Sequence, residues 1–420
     1  MAKRSDPAET ALHPESLMMS YGYEPEWSEG AVSPPIFQTS TFVFPNAAAG
    51  KRCFQVAYGL ADAEPGERPH LIYSRINNPN LEIAEDRLAL WDGAERGAVF
   101  VSGMAAITTT MWAHLRPGDV IAASTPIYGG TQHFIDSVLP EFGVRVVRFG
   151  PHETADQIAA AIDGAGGPLG MVYAETPANP TNDLIDLAMC TQLAARFSTL
   201  DRKVPFAVDN TFLGPVFQRP IDHGADIVLY SATKYLGGHG DIIAGAATGS
   251  AEMMGPIRAM RTFTGSMMSP FTAWLLLRSL TTLRMRMEHQ ADSARKVADY
   301  LRGHPKVTAV NYLGHIEAGD PRHDRFKEQC LGAGGMISFE IDGGEPECYR
   351  FLDGLRLFKL AVSLGSVESL AEHPCSMTHC EAGPEENAKI GITESLVRLS
   401  IGVEHPDDLI RDIARALDQV

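Results

Sequence analysis

The sequence predicts an α/β protein with a mostly parallel central sheet covered by helices on both faces, followed by a C-terminal α+β domain. Three observations lead there. Short apolar runs recur between residues 97 and 230, helical stretches separate several of them, and from about Ser269 the pattern shifts to a long helical stretch with a few later strand-like segments. Apolar runs without polar alternation suit strands buried on both faces, as a parallel sheet with crossover helices requires.

Residues 1 to about 50 read as irregular, because Pro7, Pro14, Pro25, Pro34, Pro35 and Pro45 interrupt any long helix. The run between Tyr58 and Pro69 (GLADAEPGER) reads as a solvated loop. Gly97–Val101 is the first strand and Gly103–Trp112 continues as a helix. Further strands are expected at Asp119–Ala123, Gly143–Phe149, Gly170–Ala174, Phe206–Asp209 and Asp226–Tyr230, with helices at Thr154–Ile162 and Asp186–Phe197. In such a sheet, ligands gather at the C-terminal ends of the strands. The second domain is expected to hold the helical stretch Ser269–Gly303, strands at Val307–Tyr312, Met336–Ile341 and Leu396–Ile401, and a closing helix at Pro406–Val420. There is no internal repeat and no low-complexity tract.

At 420 residues the chain is too long for one core and suits two domains. Apolar residues make up 45%, which argues against wholesale disorder, and a formal charge of -17 argues against a nucleic-acid partner. A local basic patch can still hold one small phosphate. Six cysteines are too sparse for a disulfide framework. The start, Met1–Pro7, has a basic end with no apolar run behind it, and no stretch reaches ~18 uninterrupted apolar residues. A cytoplasmic protein without a membrane span is the expectation.

The chemistry concentrates around Ser231-Ala232-Thr233-Lys234, which directly follows the strand DIVLY. A lysine at the mouth of a parallel sheet can condense with an aldehyde cofactor, and the adjacent hydroxyls can bind its phosphate. Alone, this tetrapeptide more often marks a solvent-facing lysine. Asp209 ends the strand PFAVD and can emerge at the same sheet edge. A buried carboxylate there would keep a pyridine nitrogen protonated, worth about 4 kcal/mol at ~4 Å and an effective dielectric of ~20. The blander role for Asp209 is a turn or helix cap, since Asn210-Thr211 follow. Ser102-Gly103-Met104 lies where a strand meets a helix, an ordinary turn that can also form a phosphate cup. Tyr128 follows the next strand, where a phenol can stack on a ring and move protons; otherwise it is a partly buried loop aromatic. Arg398, within the strand LVRLSI, is an unusual core residue that suggests a buried anion partner.

Several runs together resemble signatures of the Cys/Met-metabolism family of fold-type I pyridoxal-phosphate enzymes. They are Tyr73–Pro79 (YSRINNP), Ser102–Met104, Tyr128–Thr131 (YGGT), Glu175–Pro180 (ETPANP), Val208–Thr211 (VDNT), Ser231–Lys234, Ser363–Gly365 (SLG) and Val397–Ser400 (VRLS), in the family's order. That family includes cystathionine γ-synthase, cystathionine γ- and β-lyases, methionine γ-lyase and O-acetylhomoserine sulfhydrylase. The resemblance implies pyridoxal 5'-phosphate carried on Lys234, with Asp209 beside the pyridine nitrogen and Tyr128 stacked on the ring as a proton carrier. It implies phosphate ligands at Ser231, Thr233, Gly103 and Met104, and Tyr73 and Arg75 reaching the phosphate of a neighbouring subunit. The active unit would then be at least a homodimer, with a homotetramer expected. Arg398 would grip the carboxylate of an amino-acid substrate, assisted by Ser363 and Asn179. The implied domains are an N-terminal arm and dimerisation segment (1–72), a cofactor domain (73–268) and a C-terminal α+β domain (269–420).

Other features bear on the substrate. Methionine γ-lyases usually carry a cysteine where this chain has Gly130, a glycine shared with cystathionine γ-synthases and γ-lyases. Ala361–Gly365 and His373–His379 look more like the methionine γ-lyase version. The excursion 51–70 is longer than usual and precedes Tyr73–Arg75, so it can reshape the substrate entrance. The mixed ligands of His373–Cys380 (HPCSMTHC) fit neither usual zinc spacing, so no metal is expected. No G-x-G-x-x-G follows an early strand, which argues against a nicotinamide dehydrogenase. The expected activity is γ-elimination by a carbon–sulfur lyase on methionine, homocysteine or cystathionine-like substrates. γ-Replacement on an acylated homoserine and a non-catalytic cofactor-binding protein are the alternatives.

Overall fold

The apolar runs of residues 96–249 form a seven-stranded sheet in the computed structural model, which describes residues 12–64 and 70–420. Its strands are β1 (Arg96–Phe100), β2 (Val120–Ser124), β3 (Arg145–Phe149), β4 (Leu169–Glu175), β5 (Phe206–Asp209), β6 (Ile227–Tyr230) and β7 (Gly245–Gly249), in the order β1-β7-β6-β5-β4-β2-β3. The β2, β3, β4, β5 and β6 pairings are parallel, whereas β7 runs antiparallel to both β1 and β6. The expected mostly parallel α/β architecture is therefore the one observed. β2, β4, β5 and β6 are buried at every position, which is why they read as unbroken apolar runs. Separate apolar clusters line the two faces, one including Ile107, Met111, Ile121, Met171 and Leu229, another Ile158, Val172, Leu193 and Val208.

β7 was not expected from its sequence, GAATG, which lacks β-branched bulk. Its small residues have a steric reason. A Cβ on Gly245 would meet the Ser102 carbonyl oxygen at 2.0 Å, and one on Gly249 the Asp226 carbonyl oxygen at 2.4 Å. The helix Ala47–Ala57, capped by the Asn46 side chain, starts at the end of the segment expected to be irregular and runs into the 51–70 excursion. The proline pattern left a proline-free window there long enough for three turns. Met1–Pro7 and the Pro65–Pro69 part of the 58–69 loop lie outside the described residues.

The Ser269–Gly303 stretch divides into two helices, Pro270–Leu280 and Leu283–Arg302. Arg286 holds the break, donating to the Ser279 carbonyl at 3.0 Å and the Tyr235 carbonyl at 2.9 Å. A five-stranded sheet follows, of β8 (Val307–Asn311), β9 (Met336–Ile341), β10 (Lys359–Leu360), β11 (Leu370–Glu372) and β12 (Leu396–Ser400), ordered β10-β11-β12-β9-β8. The two short strands β10 and β11 extend the expected set. Val297, Leu301, Phe351, Leu409 and Ile413 from three helices share one apolar cluster with Phe339, Val397 and Leu399 of this sheet. No described helix is long and apolar enough to cross a membrane.

Candidate active site

The parallel strands deliver their C-terminal ends to one sheet edge, and most of the singled-out residues meet there. Asp209 closes β5 and pairs in register with Glu175, which closes β4. One Asp209 oxygen, Oδ1, accepts from the Thr211 backbone N–H at 3.0 Å and the Thr211 hydroxyl at 2.5 Å. Asp209 therefore does cap a turn, but its other oxygen, 3.5 Å from the Tyr173 hydroxyl, faces elsewhere. Thr211 Oγ1 accepts in turn from the Ser231 N–H at 2.9 Å, which ties the end of β5 to the end of β6.

Ser231 abuts the first turn of the helix Gly103–His114, where a Cβ on Gly103 would lie 2.9 Å from the Ser231 Cα. Only glycine permits that approach. Ser102 caps the helix through its side chain, accepting from the Ala105 N–H at 3.0 Å. The N–H groups of Gly103 and Met104 have no carbonyl four residues back within the helix, so the turn is suited to an anion. Thr131 Oγ1 reaches the Met104 sulfur at 3.8 Å, joining this turn to the Tyr128 loop. Thr233 differs from expectation in one respect. Its hydroxyl donates to the Ala244 carbonyl at 3.1 Å and accepts from the Ala244 N–H at 2.9 Å, so its single proton is already engaged.

Lys234 Nζ donates to Ser363 Oγ at 2.7 Å. The Ser363 carbonyl accepts from Arg398 Nη2 at 2.7 Å, and Arg398 Nη1 donates to Asn179 Oδ1 at 2.9 Å. Ser363 adopts a φ of 99°, a strained setting for a residue with a side chain. Glu175 completes the circuit: Oε1 accepts from the Asn179 N–H at 2.9 Å and Oε2 from the Tyr128 N–H at 2.8 Å. Tyr128 itself is 44% exposed, with its ring against Gly130.

Tyr73 and Arg75 make their described contacts elsewhere. Tyr73 bridges to Thr41, Arg75 donates to the Thr262 carbonyl at 2.8 Å, and Arg75 lies over the Tyr73 ring. No described hydrogen bond joins either residue to Lys234 or Ser231.

Electrostatics follow from burial. Lys234 is pushed down to about 8 by burial and by Arg398, against the pull of Glu372. Burial raises both Asp209 and Glu175, and the charge on Asp209 raises Glu175 further. Every hydrogen bond to these two carboxylates comes from a neutral donor, and among the described residues neither has an ion-pair partner.

The sequence profile of the Cys/Met metabolism PLP-dependent enzymes matches residues 15–418. The chain belongs to that family. It is 41% identical over 400 residues to the L-methionine γ-lyase of Pseudomonas putida, covering 94% of this chain and 95% of that one. It is 37% identical over 407 residues to the cystathionine γ-lyase of Bacillus subtilis, covering 97% and 99%. The crystal structure of cystathionine γ-synthase from Xanthomonas oryzae pv. oryzae in complex with cystathionine superposes with a TM-score of 0.85, at 33% identity, covering 97% and 98%.

The protein is thus a pyridoxal-phosphate-dependent enzyme of sulfur amino-acid metabolism, and its residues fit that cofactor. Two adjacent buried carboxylates without a cation match a protonated ring nitrogen. A buried lysine with weakened proton affinity matches an aldehyde, and the Gly103 turn matches a phosphate. The segment His373–Cys380 is otherwise engaged: the His373 nitrogens lie 2.8 Å from Ser376 Oγ and 2.9 Å from the Glu394 carbonyl. Among the described residues no cluster of metal-ligating side chains is placed to hold an ion.

Neither Glu175 nor Glu372 has a role legible from the sequence alone. Glu175 lies within the run ETPANP, and its place at a strand end beside Asp209 is the signal that could have found it. Glu372 is fully buried with Oε1 2.6 Å from Arg398 Nη1. It lies on β11, a three-residue strand too short to read from periodicity, and pairs with Arg398 on β12.

Proposed function

We propose that this enzyme catalyses γ-elimination from methionine, homocysteine or cystathionine-like substrates, as a cytoplasmic homodimer that pairs further into a homotetramer. The observation that carries an amino-acid substrate is the Ser363 bridge. It sets a carboxylate-binding guanidinium, Arg398, one residue away from the amine of Lys234. An α-amino acid presents its carboxylate and its Cα hydrogen at that same short separation.

Each residue then has a defined task. Arg398, with Asn179 and Ser363 fixing its plane, grips the substrate carboxylate. Bound pyridoxal phosphate supplies an electron sink for the pair left at Cα. Lys234 removes the proton at Cα. Its lowered proton affinity leaves a useful fraction of neutral amine near neutrality. Loss of a second proton at Cβ then supplies the pair that breaks the Cγ–S bond, and water releases the 2-oxo acid and ammonia. Asp209 stabilises positive charge at the ring nitrogen, while Ser231, Gly103 and Met104 hold the phosphate, which Thr233 would join by turning its hydroxyl proton away from the Ala244 carbonyl. Tyr128, exposed at the mouth and anchored through Glu175, protonates the departing thiolate. Within their own chain Tyr73 and Arg75 make contacts with Thr41 and the Thr262 carbonyl, and no described hydrogen bond runs to Lys234, which supports their serving the phosphate site of a partner. Residues 1–72 would form the dimerising arm, 73–268 the cofactor domain and 269–420 the C-terminal domain.

The methionine γ-lyase relative at 41% identity and the Ser363 and His373–His379 segments favour elimination. The glycine at position 130 and the likeness to cystathionine γ-synthase favour γ-replacement as the second reading. A substrate panel on purified enzyme separates them. Elimination yields 2-oxobutanoate and ammonia without added thiol. Turnover confined to acylated homoserine plus cysteine or sulfide, giving only thioether or thiol product, would establish replacement.

A further inference from the structure

Arg398 already has a carboxylate partner within this chain. Glu372 ends β11 and stands opposite Arg398 in the antiparallel register with β12. Its Oε1 lies 2.6 Å from Arg398 Nη1, with the two side chains only 0% and 3% exposed. Thr378 Oγ1 donates to that same oxygen at 3.2 Å. The other oxygen, Oε2, is buried with no hydrogen-bond partner among the described residues, as is Arg398 Nε. A buried ion pair is weak evidence for stability, because desolvation offsets most of the Coulomb gain, and a bare buried carboxylate oxygen makes it worse. The arrangement suits a different purpose.

With Glu372 ionised, the guanidinium is neutralised before any substrate arrives. A substrate carboxylate on Arg398 would then place two negative charges against one buried arginine. Two carboxylates sharing such a site cannot both stay ionised, and one takes a proton. The incoming carboxylate is the better matched to the arginine fork. Glu372 keeps an unpartnered oxygen where a proton can reside.

We propose that Glu372 is a positioning residue that couples substrate binding to proton uptake: ionised, it holds Arg398 in the free enzyme, and it accepts one proton from solvent when a substrate carboxylate takes over the guanidinium. This rests on the reading of Arg398 as the carboxylate site. The groups facing Glu372 are Arg398 on β12, Lys234 after β6, and Thr378 and His373 from the segment after β11. Burial already pushes the Glu372 carboxyl up, against the opposing pull of Arg398, Thr378, Lys234 and His373. His379, the histidine beside Arg398, is pushed down to about 4 by burial, so it does not compete for the proton near neutrality. The sign follows from linkage. A second anion raises the proton affinity of Glu372, so carboxylate binding strengthens as pH falls. Between the free and bound values the dissociation constant rises by up to about tenfold per pH unit.

The test is calorimetric titration of the holoenzyme with butanoate, a carboxylate with no amine to react, in two buffers of different ionisation heat. About one proton should be taken up per butanoate bound near neutrality. Glu372→Gln keeps an amide oxygen for Arg398 but cannot accept the proton, so uptake should vanish and the affinity should become flat with pH. No uptake by wild type, or undiminished uptake by folded Glu372→Gln, overturns the proposal. Should that variant fail to fold, wild type still decides: a flat affinity without proton uptake overturns it, and one proton with the tenfold slope supports it. Arg398→Ala separates this proposal from the reading beneath it. Butanoate binding unchanged in that variant removes the carboxylate site and the coupling together. Binding lost there, with no proton uptake in wild type, removes the coupling alone.

Discussion

Lys234 illustrates how one buried side chain sets both chemistry and stability. In the folded apoprotein its amine releases its proton at about 8 rather than the ordinary 10.5. The unfolded chain therefore binds more protons between those values, so this contribution makes stability rise with pH across that window. Below it, the buried ammonium costs about 3 kcal/mol, at roughly 1.4 kcal/mol per pH unit. Cofactor-free Lys234→Met should have a higher urea midpoint than wild type at neutral pH, with the gap closing between about 8 and 10.5. Equal midpoints at neutrality would contradict this. Borohydride reduction of the yellow holoenzyme should fix the label on the peptide containing Lys234; label on another lysine would displace that assignment. Arg398 makes its contacts through a planar fork, to Asn179, Ser363 and Glu372. Arg398→Lys should lower kcat/KM by about 2–3 kcal/mol, roughly 30- to 150-fold and mainly through KM, because one ammonium cannot reproduce the fork.

At the scale of elements, the site depends on turns that approach too closely for any side chain. A Cβ on Gly103 would lie 2.9 Å from the backbone of Ser231, and neither the helix start nor the β6 end can retreat easily. Gly103→Ala should weaken cofactor binding by about 1–3 kcal/mol, read as increased dissociation of pyridoxal phosphate on dilution. An unchanged dissociation constant would show that the two turns separate freely. Gly130 meets a softer obstacle, the Tyr128 ring at 2.7 Å. Gly130→Cys, the residue usual in methionine γ-lyases, should therefore swing Tyr128 aside and slow methionine elimination rather than improve it, by roughly tenfold. Faster methionine turnover in that variant would mean the loop can rebuild around the thiol. The pairing of Glu175 with Asp209 belongs to this scale too, since adjacent parallel strands ending together place both carboxylates at one edge.

For the whole molecule, Tyr73 and Arg75 matter because their described contacts, with Thr41 and the Thr262 carbonyl, do not include Lys234. Mixing Arg75→Ala with Lys234→Ala protein should restore about a quarter of wild-type activity once subunits exchange at equal ratio, because each mixed dimer then has one site with both residues intact. No recovery despite demonstrated exchange would place both residues' function within one chain. The sequence by itself determined the α/β class, six of the seven strands of the central sheet to within a few residues, and the order of motifs that meets at the sheet edge. Burial on both faces writes itself into local composition, and strand ends bring chemistry to a common place. Tertiary structure alone decided three further things. β7 is made of residues with no strand signal, chosen to clear the Ser102 and Asp226 carbonyls. The Thr233 hydroxyl is spent on Ala244. The anion buried against Arg398 in this chain proved to be Glu372, and that pairing was beyond reach of the sequence. A buried charge announces that it needs a partner, but which residue supplies it depends on the register between strands far apart in the chain.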